Sequence, residues 1–231
     1  MKTLGMIGGV GPESTVDYYK RIIAEYRERN PDGSYPLMII NSVDLERMVS
    51  YLEAKDLEQL ATTIVAELEK LARAGADFGL LSSNTPHIVF DEVSARCSLP
   101  LISIVEETCK AARSSGLRKL GLLGSRFTMQ ANFFQRVFAR EGISIVVPDP
   151  EEQNYVHEKY MGELVKGVFL PETRAGMLGV VKRMERKDQI DGLILGGTEL
   201  PLLLRDVTDC EIPFLDTTKI HVKAAVDRLL S

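Results

Sequence analysis

Two short strand-like motifs each occur twice in this chain, in the same order. Gly5-Met6-Ile7-Gly8-Gly9 returns as Gly121-Leu122-Leu123-Gly124-Ser125. Asp77-Phe78-Gly79-Leu80-Leu81-Ser82-Ser83 aligns without gaps on Asp191-Gly192-Leu193-Ile194-Leu195-Gly196-Gly197. The two offsets differ by only two residues, which favours a duplicated unit over chance agreement of isolated strands. Around the first copies, Leu4 to Ile7 reads as a buried strand and Gly8 to Pro12 as a glycine-rich turn. Glu13 to Arg29 follows as a helix with Tyr18, Ile22, Ile23 and Tyr26 on one face, and Leu37 to Asn41 as a second strand. Leu57 to Ala74 has Leu60, Ile64, Leu68 and Leu71 at helical spacing and leads into a strand at Phe78 to Leu81. Apolar strands alternating with helices predict βαβ units around a mostly parallel sheet, so the fold class is α/β.

The expected organisation is two similar α/β half-domains related by a pseudo-twofold, with an active-site cleft between them. The boundary is placed near Leu99-Pro100, giving an N-terminal domain over 1–99 and a C-terminal domain over 100–217. The last helix, about 218–231, is compatible with packing on either half. Ligands of open α/β sheets bind beyond the carboxyl ends of the strands. The loops Gly8–Pro12, Ser82–His87, Gly124–Thr128 and Gly196–Glu199 are therefore expected to converge.

Composition narrows the function classes. With 28 basic and 33 acidic residues the net charge is −5, and no basic cluster stands out. Nucleic acid and anionic membranes are poor partners for such a surface. No apolar run approaches the roughly 20 residues of a membrane span, and the apolar part of Met1 to Gly9 is too short for a signal peptide and reads as a first strand. Cys97, Cys109 and Cys210 lack metal-ligand spacing, and reduced thiols in a cytoplasmic protein are the expectation. His87, His157 and His221 are scattered, so no metal triad is visible. Val10 breaks the dinucleotide fingerprint, Ser14 stands where its third glycine belongs, and no phosphate-loop motif occurs.

The chemistry-bearing candidates lie at the strand ends. Ser82-Ser83-Asn84-Thr85-Pro86-His87 offers hydroxyls, an amide and helix-start N–H groups to a carboxylate, although caps for the next helix are the plainer reading. Gly196-Gly197-Thr198-Glu199 offers a hydroxyl and a carboxylate, or simply a helix start with Thr198 as cap. Gly124-Ser125-Arg126-Phe127-Thr128 and Gly8-Gly9-Val10-Gly11 are the third and fourth polar ends. Lys166 is placed to pair with a substrate carboxylate or to sit in solvent at a helix end. His87 either belongs to the site or is bonded within its own helix.

At these motifs the chain resembles the aspartate/glutamate racemase family over essentially its whole length. The resemblance is carried by Gly5 to Thr15, Asn41-Ser42-Val43-Asp44, Ser83 to His87, Leu122 to Thr128, Gly196 to Glu199 and Asp216 to His221. It implies cofactor-independent isomerisation of a small acidic amino acid, with two cysteines on opposite faces of the substrate exchanging its α-proton. It also implies a homodimer, for which the Tyr18 to Tyr26 helix face is one candidate surface and the core the other use of that face. Gly9, Asn84, Thr85, Ser125, Thr128, Lys166 and Thr198 match positions expected to hold substrate.

The sequence departs from the family at both acid–base positions. The first cysteine is Ser83 and the second is Gly197. A thiol has a reference pKa of about 8.5; a serine hydroxyl is far weaker and acts only with an activating base. Glycine has no side chain at all. Two-thiol racemisation is therefore closed to this chain. Three readings follow: a racemase with altered groups, a decarboxylase or lyase sharing the carboxylate-holding cleft, or a silent small-carboxylate binder. For the first, the candidates are Ser83 on one face and Thr198 or Glu199 on the other, with water filling the space left by Gly197.

Overall fold

The computed structural model describes residues 2–204 and 210–231; Met1, read above as the start of the first strand segment, lies outside them. The chain divides into two units, residues 1–104 with 218–231, and residues 105–217.

The first unit begins with β1 (Thr3–Gly8), α1 (Pro12–Arg29), β2 (Leu37–Ser42), α2 (Leu45–Glu53), α3 (Leu57–Arg73) and β3 (Phe78–Leu81). A 3-10 turn at Thr85–Val89, α4 (Phe90–Arg96) and β4 (Leu101–Ile102) follow. The second contains α5 (Ile104–Ser114), β5 (Lys119–Leu123), α6 (Arg126–Gln130), α7 (Phe133–Ala139), β6 (Ser144–Val146) and α8 (Pro150–Gly162). Then follow α9 (Pro171–Asp188), β7 (Gly192–Leu195), α10 (Leu200–Leu203) and β8 (Phe214–Asp216), before α11 (Thr217–Leu230) returns the chain to the first unit. Among the described residues the strands form two four-stranded parallel sheets, ordered β2-β1-β3-β4 and β6-β5-β7-β8. The two orders are the same pattern, so the fold is α/β and duplicated.

The repeat extends to individual hydrogen bonds. The Asp77 carboxylate accepts from the Thr3 N–H at 2.7 Å, and the Asp191 carboxylate accepts from the Arg118 N–H at 2.7 Å and the Lys119 N–H at 3.0 Å. Pro100 and Pro213 each accept from the second residue of the neighbouring strand pair, Gly79 and Leu193, at 2.9 Å. Leu101–Ile102 thus pairs with β3 and belongs to the first sheet. The chain accordingly passes between units after Ile104, a few residues beyond the Leu99-Pro100 position read from sequence.

Within the first unit, strand alternation distributes the core. Leu4 and Met6 point to one face, where Tyr18, Ile22 and Tyr26 of α1 pack with Val222, Ala225, Val226 and Leu229 of α11. Gly5 points to the other, where a β-carbon would come within 3.1 Å of the Leu71 side chain on α3. Tyr18, Ile22 and Tyr26 are fully or almost fully buried, so this helix face is core and not a dimer surface; Ile23 is only partly buried. In the second unit Leu193 and Leu195 meet Val156, Tyr160, Met177, Val181 and Met184 from α8 and α9. No helix among the described residues is long and apolar enough to cross a membrane.

Candidate active site

Lys166 apart, the sequence candidates in each unit fall at the carboxyl ends of the two central strands. After β1, Gly9 takes φ +85°, and a β-carbon there would lie 2.2 Å from the Val43 carbonyl oxygen. Its N–H donates to Thr15 Oγ1 at 2.9 Å, and the Thr15 hydroxyl donates on to the Gly11 carbonyl at 3.3 Å. Gly9 is fitted to this tight turn, and its N–H is committed to Thr15.

After β3, Ser82 donates its hydroxyl to the Ile7 carbonyl at 2.9 Å and is structural. Ser83 instead lines a small pocket with Ile7, Val10, Val43, Met48, Leu81 and other side chains, of which Glu67 is the only charged one. Asn84 is buried and Thr85 partly buried beside it, at the start of the 3-10 turn. Glu67 accepts from the Lys70 ammonium at 2.7 Å and the Asn41 amide at 2.7 Å, which together hold its carboxyl below the ordinary carboxylate range.

His87 does not belong to the reacting groups. Its Nδ1–H donates to the Ser83 carbonyl at 3.0 Å, and its Nε2 accepts from the Ile104 N–H at 3.2 Å. Full burial, with His221 close by, depresses its pKa to about 3, so the ring is neutral and both nitrogens are occupied. It locks the loop that presents Ser83. His157 is likewise a brace, accepting from the Arg126 N–H at 3.2 Å.

In the second unit, Ser125 caps α6: its Oγ accepts from the Thr128 N–H at 3.3 Å and lies 3.2 Å from Thr128 Oγ1. Both side chains are buried. Lys166 is exposed at the end of a 3-10 turn, and its backbone N–H bonds to Glu163.

The end of β7 differs most from expectation. Thr198 is not the helix cap; its hydroxyl donates to Glu199 Oε2 at 3.1 Å. Glu199 occupies the cap position of α10 without using its side chain as a cap. Its carboxylate, in a residue only 1% exposed, accepts from the Tyr160 hydroxyl instead. The space beside Gly197 is not left to water. A β-carbon on Gly197 would lie 2.4 Å from Tyr160 Cε2 and 2.8 Å from the phenol oxygen. The tyrosine ring fills the volume a side chain at 197 would need. Sequence reasoning missed Tyr160 because it sits on α8, 37 positions before the glycine, where it reads as one more core aromatic.

Neither Cys97 nor Cys109 supplies a missing thiol. Cys97 and Cys109 lie on or beside helices, and burial pushes both thiols above their ordinary pKa. Cys210 is partly buried. Among the described residues, no group of three or more His, Cys, Asp or Glu side chains is arranged to hold a metal ion.

Duplicated parallel sheets define a two-unit α/β protein with buried hydroxyls and a carboxylate gathered at its strand ends. The profile of the family described as Asp/Glu/Hydantoin racemase matches residues 7–225, and the chain belongs to that family. The chain is 26% identical over 234 residues to the broad specificity amino-acid racemase RacX of Bacillus subtilis (strain 168), covering 99% of this chain and 98% of that protein. Among solved structures, PH1733 of Pyrococcus horikoshii OT3, described as an aspartate racemase homologue, superposes with a TM-score of 0.85 at 31% identity over 100% of both chains. The glutamate racemase of Aquifex pyrophilus shares the fold at a TM-score of 0.66 and 20% identity, over 99% of this chain and 84% of that one.

Proposed function

We propose that the chain is an amino-acid racemase that moves the α-proton of its substrate without a cofactor, using hydroxyl and carboxylate groups in place of thiols. The observation that carries this reading is positional. Ser83 and the Gly197-Thr198-Glu199 stretch end β3 and β7, equivalent strands of two units with the same sheet order. Racemisation needs acid–base groups competent on both faces of the α-carbon, and each unit by itself carries hydroxyl or carboxylate side chains at its equivalent strand end. Developing charge on the substrate carboxylate needs donors; Asn84, Thr85, Ser125, Thr128 and Thr198 are the candidates, with Lys166 as an exposed cation.

A small acidic amino acid is the substrate class taken from the family resemblance. The walls beside Ser83 are mostly apolar and hold a carboxylate rather than a cation. That supports a test panel wider than aspartate and glutamate, as does the description of the Bacillus relative. The proposed form is a cytoplasmic homodimer, which sedimentation analysis addresses directly.

The test is α-proton exchange. Purified protein in deuterated water is given each enantiomer of a panel of amino acids, followed by NMR and chiral chromatography. Deuterium incorporation with inversion supports racemisation. Incorporation without inversion supports a reaction needing one donor, such as a lyase or decarboxylase step. Absence of exchange throughout rejects the racemase reading.

A further inference from the structure

We propose that Tyr160, held by Glu199, is the acid–base residue that replaces the second thiol. The inference rests on the racemase reading and names the group that serves its second face.

Three observations within the second unit converge on it. The phenol oxygen lies 2.8 Å from where a β-carbon at 197 would sit, the position that the family resemblance assigns to the second cysteine. The glycine is what admits it, because any larger residue there collides with the ring at 2.4 Å. The hydroxyl is paired with a carboxylate that also accepts from Thr198, in a setting where Tyr160 is 7% and Glu199 1% exposed. A buried core tyrosine needs only one polar partner to satisfy it. Pairing with a buried carboxylate adds a proton acceptor behind the phenol.

The step balances without a further reagent. The substrate Cα–H bond breaks and its electron pair remains on the α-carbon and carboxylate. The proton goes to the phenol oxygen as the phenol's own proton passes to Glu199 Oε2. Delivery of a proton from the opposite face, with Ser83 as the donor, inverts the centre, and the proton left on Glu199 Oε2 returns to the serine oxygen through solvent, so every group regains its starting state. Return of the proton from the phenol itself gives exchange with retention. Burial and the neighbouring Glu199 carboxylate push the phenol well above its ordinary pKa, so it is protonated at neutral pH and relays rather than ionises.

The experiment compares native protein with Tyr160→Phe, which keeps the ring and removes only the hydroxyl. Native protein is expected to incorporate deuterium with inversion. Tyr160→Phe is expected to lose racemisation by about 100-fold or more, the usual contribution of a positioned acid–base group, while incorporating deuterium with retention into one enantiomer. Racemisation by Tyr160→Phe at the native rate overturns the role of Tyr160 and leaves the racemase reading standing. No exchange by native protein overturns both. If Tyr160→Phe fails to fold, as read by its melting curve, Tyr160→Ala/Gly197→Cys decides. It restores a thiol and opens room for it, and is expected to racemise with a rate rising toward the thiol range near pH 8.5. A folded double variant that does not racemise overturns the proposal.

Discussion

The Tyr18 hydroxyl donates to His221 Nδ1 at 2.9 Å, and His221 Nε2–H donates to the Ile102 carbonyl at 3.0 Å. A carbonyl only accepts, so the proton of this neutral ring is on Nε2 and Nδ1 must be the acceptor. Two helices from opposite ends of the sequence are tied to the same sheet edge through one imidazole. His87, whose ring centroid lies 6.2 Å away, is fixed by the same kind of double commitment.

Acid stability follows from that pair. Burial depresses His221 to about 4 and His87 to about 3, against an ordinary 6.5. Between those values the unfolded chain binds protons that the folded chain excludes, so stability rises with pH through this window and is complete above about 6.5. Each ring contributes a slope of up to about 1.4 kcal/mol per pH unit. Urea unfolding should show a lower midpoint at pH 5 than at pH 7. His221→Gln should flatten that difference; an unchanged slope in the variant would assign the titration elsewhere.

Gly197→Ala tests the packing beside Tyr160. The added methyl group meets Tyr160 Cε2 at 2.4 Å, and overpacking of this kind costs about 1–3 kcal/mol. Thermal melts of Gly197→Ala, Tyr160→Ala and the double variant should show strong coupling, with the alanine at 197 costing little once the ring is gone. Additive losses would mean that the cost at 197 does not arise from contact with the ring.

Ser83→Ala is expected to abolish deuterium incorporation at one face of the α-carbon while leaving the melting temperature close to native. The serine carbonyl, which His87 holds, survives the substitution. Unchanged turnover would remove Ser83 from the reaction.

Gly9→Ala is expected to destabilise by more than about 2 kcal/mol, through both the positive φ and the 2.2 Å approach to Val43 O. Urea unfolding measures it, and a near-native midpoint would mean that the turn can rebuild around a side chain.

Much of the architecture was legible because strand and helix periods leave direct marks. Phe78–Leu81 is a strand as read, and Leu60, Ile64, Leu68 and Leu71 form the buried stripe of α3. The internal repeat was readable because each copy of the Asp-led motif keeps the same job, anchoring the start of a neighbouring strand. What sequence could not reveal is contact between distant positions. Gly197 reads as a deleted catalytic group, and nothing in the linear chain says that an aromatic ring from α8 fills its place. In the same way, nothing in the linear chain says that Thr15 bonds the N–H of Gly9. His87 lay between two readings for a related reason: one of its partners, the Ile104 amide, comes from beyond β4.

The discontinuity of the first unit also constrains how the protein is made. The ribosome delivers its sheet within the first 104 residues, yet Tyr18, Ile22 and Tyr26 must wait for Val222, Val226 and Leu229 to cover them. The second unit, contiguous in the chain, can reach its native contacts while its predecessor still lacks a wall. The unit synthesised first is therefore completed last, and its exposed tyrosine-rich helix is the surface that chaperones or misassembly would find during that interval.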